Sequence, residues 1–151
     1  MNSTFKTWKT SRESILSILN DHDPEQLNTI PKGFSNNLIW NAGHLVVTQQ
    51  ALIYLACGLK GNIPRQLYPL YKPGSKPTGA TTLEEVKELK ELLISTIQPT
   101  IDDFDAEKFQ NFEERMTGTG FYLSNIEDAF EFVNFHEGLH LGYMMNIRKF
   151  V

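Results

Sequence analysis

Cysteine is almost absent from this 151-residue chain, which contains only Cys57. A single cysteine excludes an internal disulfide framework and is typical of proteins from a reducing compartment. Because Cys57 lies among apolar residues, we interpret it as a buried structural thiol rather than a nucleophile. Residues 1–14 have no apolar core of the kind that a signal peptide needs. We therefore expect a soluble, cytoplasmic protein.

Long apolar runs and clusters of positive charge are also missing. The longest apolar run, around residues 51–59, is far shorter than the roughly 20 residues that cross a bilayer, so we expect no membrane partner. The chain has 14 lysines and arginines against 18 acidic residues, and its net charge is −4. Phosphate contacts need concentrated positive charge, so we also expect no nucleic-acid partner.

Strand patterns are missing as well, whereas four segments have clear helical periodicity. Apolar residues recur at intervals of three and four over 4–20, 36–60, 82–99 and 125–149. Thr82 and Glu85 have the spacing of a capping box at the start of the third segment. Pro99 marks its approximate end. Because each segment has one apolar face, we predict an all-α protein, a single four-helix-bundle domain over residues 1–151.

Two long connections separate the predicted helices. The first, 61–80, carries four prolines and is long enough to cross the bundle, so the second and third helices can run parallel. The second covers 102–124. Loops of this length are often functional, and these two can form the walls of a pocket. Four aromatic residues in the loops either line such a pocket or only hold the loops against the bundle: Tyr68, Tyr71, Phe121 and Tyr122.

Three of the four histidines are candidate metal ligands. His136 and His140 are four residues apart on the apolar face of the last predicted helix, so both rings can reach one point. His44 lies in an apolar stretch of the second helix. The alternative is that these are core histidines satisfied by hydrogen bonds. Two neutral imidazoles need several buried partners, whereas one metal ion satisfies both. Three protein ligands would leave one coordination position open, as in catalytic zinc sites.

Glu137 completes an H-E-x-x-H pattern with the histidine pair, and this pattern is typical of metalloproteases. The rest of the sequence disfavours that activity. Tyr143 and Asn146 stand where a metzincin would have glycine and histidine, and no acidic residue follows His140. Glu137 remains a candidate base, or an acceptor at the edge of the site. Arg12 can orient a substrate carboxylate, or can extend to solvent instead.

With these motifs, the chain resembles the DinB-like superfamily of small four-helix-bundle proteins, which includes metal-dependent hydrolases of the YfiT type. The resemblance depends on residues 35–45 (SNNLIWNAGHL) and 136–142 (HEGLHLG). It implies a divalent metal, nickel or zinc, bound by His44, His136 and His140. It also implies a homodimer, and a long crossover between helices two and three. Characterised relatives include thiol-dependent S-transferases and a maleylpyruvate isomerase that uses low-molecular-weight thiols.

The leading hypothesis is therefore a metal-dependent enzyme that activates a thiol or water for attack on a small electrophilic substrate. It would be a transferase or a hydrolase, with a low-molecular-weight thiol as cosubstrate in the first case. Glu137 and Arg12 are its candidate catalytic residues. The alternative is a non-catalytic metal-binding or stress-response bundle with structural histidines. A third hypothesis is an interaction module that acts through a dimer face.

Overall fold

The computed structural model describes all 151 residues and contains a four-helix bundle. The α-helices are Asn2–Asn20 (α1), Pro24–Asn28 (α2), Leu38–Ile53 (α3), Leu67–Tyr71 (α4), Leu83–Ser95 (α5), Ile97–Asp105 (α6) and Ile126–Ile147 (α7). A 3-10 turn, Leu55–Cys57, follows α3, and the strands Arg115–Met116 (β1) and Tyr122–Leu123 (β2) form a small antiparallel hairpin. The bundle consists of α1, α3, α5 and α7, which confirms the predicted all-α class.

The long helices pack as two parallel pairs, α3 with α5 and α1 with α7. Asn28 bonds to Thr81, just before α5, and to Asn37, at the start of α3, so both helices begin at the same end. Gln49, late in α3, bonds to Thr100, which follows α5. The crossover between the second and third bundle helices is therefore present, as predicted. In contrast, α3 and α7 run antiparallel, which places the middle of α3 beside the middle of α7.

Local capping explains where the bundle helices begin. The Asn37 side chain accepts a hydrogen bond from the backbone of Trp40 and caps α3. Thr82 and Glu85 form the predicted reciprocal capping box at the start of α5. The Asn125 side chain caps α7 in the same way as Asn37 caps α3. Each of these residues satisfies a backbone N–H that has no partner inside its helix.

Two predicted helix ends are wrong. The second bundle helix ends at Ile53 rather than near residue 60, because the chain tightens into a 3-10 turn and then reverses at Gly58, whose φ is 69°. The third ends at Ser95, and Pro99 lies in the first turn of α6. Proline has no N–H to bond to the carbonyl of Ser95, whereas in a first turn that donor is not needed.

Short elements inside the connections are the other difference from the prediction. The sequence predicted no strand, but β1 and β2 are only two residues long, too short for an alternating pattern to be visible. Gly120, with a φ of 87°, closes the hairpin between them. No helix of the protein is long and apolar enough to cross a membrane.

Candidate metal centre

Three histidines meet between α3 and α7. His44 is in the middle of α3, and His136 and His140 are one turn apart on the facing side of α7. One ligand nitrogen from each ring can be chosen such that all three lie within 4.8 Å of one another. The Nε2 atoms of His44 and His136 are 3.3 Å apart. Two nitrogens that bind the same tetrahedral zinc ion at ~2.05 Å are separated by about 3.3 Å, so this spacing fits a shared ion.

Hydrogen bonds fix the tautomers of two of the rings. His44 Nδ1 lies 2.7 Å from the backbone oxygen of Tyr71, which can only accept, so Nδ1 carries the proton. His140 Nδ1 lies 2.7 Å from Asn41 Oδ1. The amide of Asn41 donates to Asn37 O and is thereby oriented with its oxygen toward His140. In the neutral rings, both Nε2 atoms are therefore unprotonated and can act as metal ligands. Such outer hydrogen bonds are typical of metal-binding histidines.

The electrostatic surroundings keep all three rings neutral at physiological pH. Burial lowers the pKa of His44, although its bond to the Tyr71 carbonyl opposes this shift. Burial, followed by the charges of the other two histidines and Arg12, lowers the pKa of His136 to about 3. Burial and the neighbouring His44 lower the pKa of His140 to about 4. Neutral imidazole is the form that binds a metal, so no proton has to be displaced from these rings at neutral pH.

A cavity of about 210 Å³ lies beside His44 and His136. Its walls include Pro73 from the first long connection and Arg115, Thr117, Gly118 and Thr119 from the second, so both loops form the pocket as predicted. Thr48 also lines it, and its Oγ1 lies 3.4 Å from His44 Nε2. Because three imidazoles leave one position of a tetrahedral ion free, this cavity can give a ligand access to that position.

The donor set fits a transition metal rather than calcium or magnesium. Three imidazole nitrogens suit zinc, nickel, copper or iron, whereas calcium and magnesium need oxygen ligands. The cluster of potential ligands contains no carboxylate.

Comparison with protein families agrees with this architecture. A sequence model of the DinB superfamily matches residues 7–144, a range that includes all three histidines. The chain belongs to the DinB superfamily. The resemblance inferred from the sequence is thus confirmed. No curated protein gives a significant match to the chain.

In this DinB-superfamily protein, Arg12 and Glu137 are paired inside the bundle. Their side chains are 0% and 1% exposed, and Arg12 Nε donates to Glu137 Oε1 at 2.6 Å. Trp8 Nε1 donates to the same oxygen at 2.8 Å. Burial raises the pKa of Glu137, and the Arg12 cation and the Trp8 bond oppose this shift. Neither side chain is among the residues that line the cavity, and the alternative that Arg12 extends to solvent is wrong.

The remaining donors of Arg12 connect the other bundle helices. Its Nη1 donates to Leu93 O in α5 and its Nη2 to Leu45 O in α3, both at 3.2 Å. The Arg12 side chain of α1 therefore contacts α3, α5 and α7 at the same height along the bundle. Because each of the three nitrogens of this buried guanidinium donates to a different helix, this network holds the four helices in register.

The four loop aromatics do not form the cavity wall. The Tyr71 ring packs against Gly43, where an added Cβ would lie 2.5 Å from its Cδ1. Phe121 packs against Phe132 and Phe135, with ring centroids 5.4 and 4.7 Å apart. Tyr71 and Phe121 therefore hold the loops against the bundle, which was the alternative to lining the pocket.

Sequence reasoning missed several residues around the histidines. Asn41 and Thr48 had a detectable signal, because they are three residues before and four after His44 and hence on its side of α3. Arg115 had none, since only the folded hairpin brings it to the cavity. Tyr71 contributes through its backbone oxygen, which no side-chain motif can reveal.

Proposed function

We propose that this DinB-superfamily protein is a metal-dependent enzyme in which His44, His136 and His140 bind zinc or nickel. The single observation that supports this proposal is the set of three converging histidines, two with an unprotonated Nε2, beside a cavity. When bound, the ion would supply Lewis-acid chemistry, lowering the pKa of a thiol or water for attack on a small electrophile.

The residues around the histidines would orient and shield the reactants. Asn41 and the Tyr71 carbonyl hold two imidazoles in the ligating tautomer. The Thr48 hydroxyl is placed to hydrogen-bond to the nucleophile. Leu52 and Phe132 limit the access of water to the cavity. We propose that Glu137 and Arg12 do not contact the reacting atoms and instead fix the position of α7.

The transferase and hydrolase forms of the proposal differ in their second substrate. A transferase would use a low-molecular-weight thiol, whereas a hydrolase would use only water. Turnover of an electrophile by the metal-loaded protein with and without added thiol distinguishes the two. We also propose a cytoplasmic location, because a reducing compartment keeps such thiols available.

The non-catalytic alternative predicts either a closed site with a fourth protein ligand, or a dry histidine cluster that binds no metal and is satisfied by hydrogen bonds. No fourth histidine, cysteine or acidic residue belongs to the cluster. A cavity at the cluster is likewise unnecessary in a purely structural site. These observations favour the enzyme.

Metal analysis of matched histidine variants tests the proposal. The purified protein is incubated with zinc or nickel and dialysed, and bound metal is measured by elemental analysis and calorimetry. We expect about one ion per chain for the wild type, and loss of the tight site in His136→Ala. His22→Ala is the control, because His22 bonds to Ile18 O in a turn outside the cluster. Full metal retention by the His136→Ala variant would overturn the ligand assignment.

We further propose a homodimer that forms through the outer face of α7. Phe135, Leu139 and Met145 are 42%, 49% and 44% exposed on this helix, an unusual amount of apolar surface. An added Cβ at Gly138 or Gly142 would have no neighbour within 4 Å, so a second helix can approach closely there.

The charges on this face favour a second copy of the chain as its partner. Glu131 lies near one end of the face and Lys149 lies just beyond the other, and both are exposed. If two α7 helices pack antiparallel about a two-fold axis near residue 140, each Glu131 faces the partner's Lys149. The same axis places the two glycines opposite each other, so the face complements itself.

A further inference from the structure

One positively charged side chain stands at the wall of the cavity beside the histidines. Arg115, from β1, is the only lysine, arginine or acidic residue among the lining residues. The other lining residues are threonines, a glycine, apolar side chains and the imidazoles of His44 and His136, so none of them is a carboxylate. The side chains of the lining therefore include one guanidinium and no acidic group that would repel an anion.

The Arg115 side chain makes only weak polar contacts within the protein, all of them to Glu113. Its Nη2 lies 3.1 Å from Glu113 Oε2, and its Nε lies 3.4 Å from the Glu113 backbone oxygen. The side chains of this pair are 36% and 78% exposed, and ion pairs this exposed are weak because water screens them. A guanidinium has five N–H donors, and no protein acceptor is present for Nη1. Buried Arg12, by contrast, uses all three nitrogens.

The size of the cavity limits what can occupy it. A volume of about 210 Å³ is below the ~300–1,000 Å³ of sites for drug-sized ligands, so the cavity suits a small molecule better than a nucleotide. Arginine binds a carboxylate through two parallel hydrogen bonds, and one guanidinium balances one carboxylate. Leu52, Phe132 and Pro73 offer apolar contacts for a short carbon chain.

We propose that the small electrophile is a short carboxylic acid whose carboxylate pairs with Arg115 while its reactive carbon lies beside His44 and His136. This inference rests on the proposed function, because it names the substrate class of that same site. The sequence suggested that Arg12 recognises a substrate carboxylate. We assign this role to Arg115 instead, because Arg115 lines the cavity and Arg12 does not.

Binding of matched acids and amides tests the assignment. Crotonate and butyrate are compared with crotonamide and butyramide by NMR titration of the ¹⁵N-labelled, zinc-loaded protein. We expect each acid to bind at least tenfold tighter than its amide. In Arg115→Gln this preference should fall to about one, and Arg115→Lys should retain part of it. Arg65→Gln is the control, because Arg65 is an exposed arginine at a different cavity.

A second arm separates this inference from the proposed function. The titrations are repeated on metal-free protein, because a carboxylate can also bind zinc directly. Persistence of the acid preference without metal, and its loss in Arg115→Gln, support the inference. A preference that needs zinc but not Arg115 overturns it and leaves the metal site intact. Equal binding of acid and amide by wild type also overturns it. Failure of the wild type to bind zinc overturns the proposed function instead.

Discussion

At the scale of single residues, the Arg12–Glu137 pair is where sequence and structure differ most. The H-E-x-x-H spacing suggested that Glu137 works at a metal, yet its side chain points to the bundle interior and bonds to Trp8 and Arg12. The histidines were predictable because residues four apart in a helix share a face. The ion pair was not, since its partners are 125 positions apart in sequence and only the packing of α1 on α7 joins them.

A double-mutant cycle measures what this pair does. Arg12→Met leaves the buried Glu137 carboxylate without its cation, and removal of one partner of a buried pair costs about 3–5 kcal/mol. We expect this loss in urea unfolding, and a smaller loss in the double variant Arg12→Met/Glu137→Leu, in which no charge remains buried. In Glu137→Gln, an amide oxygen can still accept from Trp8. We expect that variant to bind zinc with the wild-type stoichiometry, and its failure to do so would place Glu137 in the metal site.

At the scale of elements, the four bundle helices were predictable because apolar periodicity extends over three or more turns in each. The first long connection was predicted to cross the bundle, and it does, but the short helix α4 within it was not predicted. Five residues carry too little periodic pattern to be recognised. Yet α4 matters for the site, because the backbone oxygen of Tyr71 at its end orients His44.

Gly43 is the position where the crossover packs against α3, and its substitution tests that coupling. A Cβ at Gly43 would lie 2.5–2.7 Å from three atoms of the Tyr71 ring, so Gly43→Ala must displace Tyr71. We expect about 10–100-fold weaker zinc binding, as is usual when an outer hydrogen bond to a ligand is lost. Gly79→Ala, in the same crossover, is the control, since a Cβ there meets nothing within 4 Å. Equal zinc affinity of the two variants would contradict the proposed role of α4.

At the scale of the whole molecule, the bundle leaves α7 with two different faces. One face carries the histidines toward α3, and the other is exposed and apolar. The sequence placed the histidines on the inner face, but it did not show how much apolar surface the outer face keeps exposed. Only the packing of the folded protein shows that Phe135 and Met145 stay 42% and 44% exposed.

A charge-swap experiment tests whether a second copy covers this outer face. Glu131→Lys would place two lysines opposite each other in the antiparallel dimer, and Lys149→Glu would place two glutamates there. We expect each single variant to dissociate already at higher protein concentrations than the double variant Glu131→Lys/Lys149→Glu, in which attraction is restored. The readout is light scattering after size exclusion at low salt, where surface charges are least screened. Because a structural loss from Glu131 alone would persist in the double variant, recovery of the dimer identifies the pairing itself. A wild-type chain that is monomeric at high micromolar concentration would rule the dimer out.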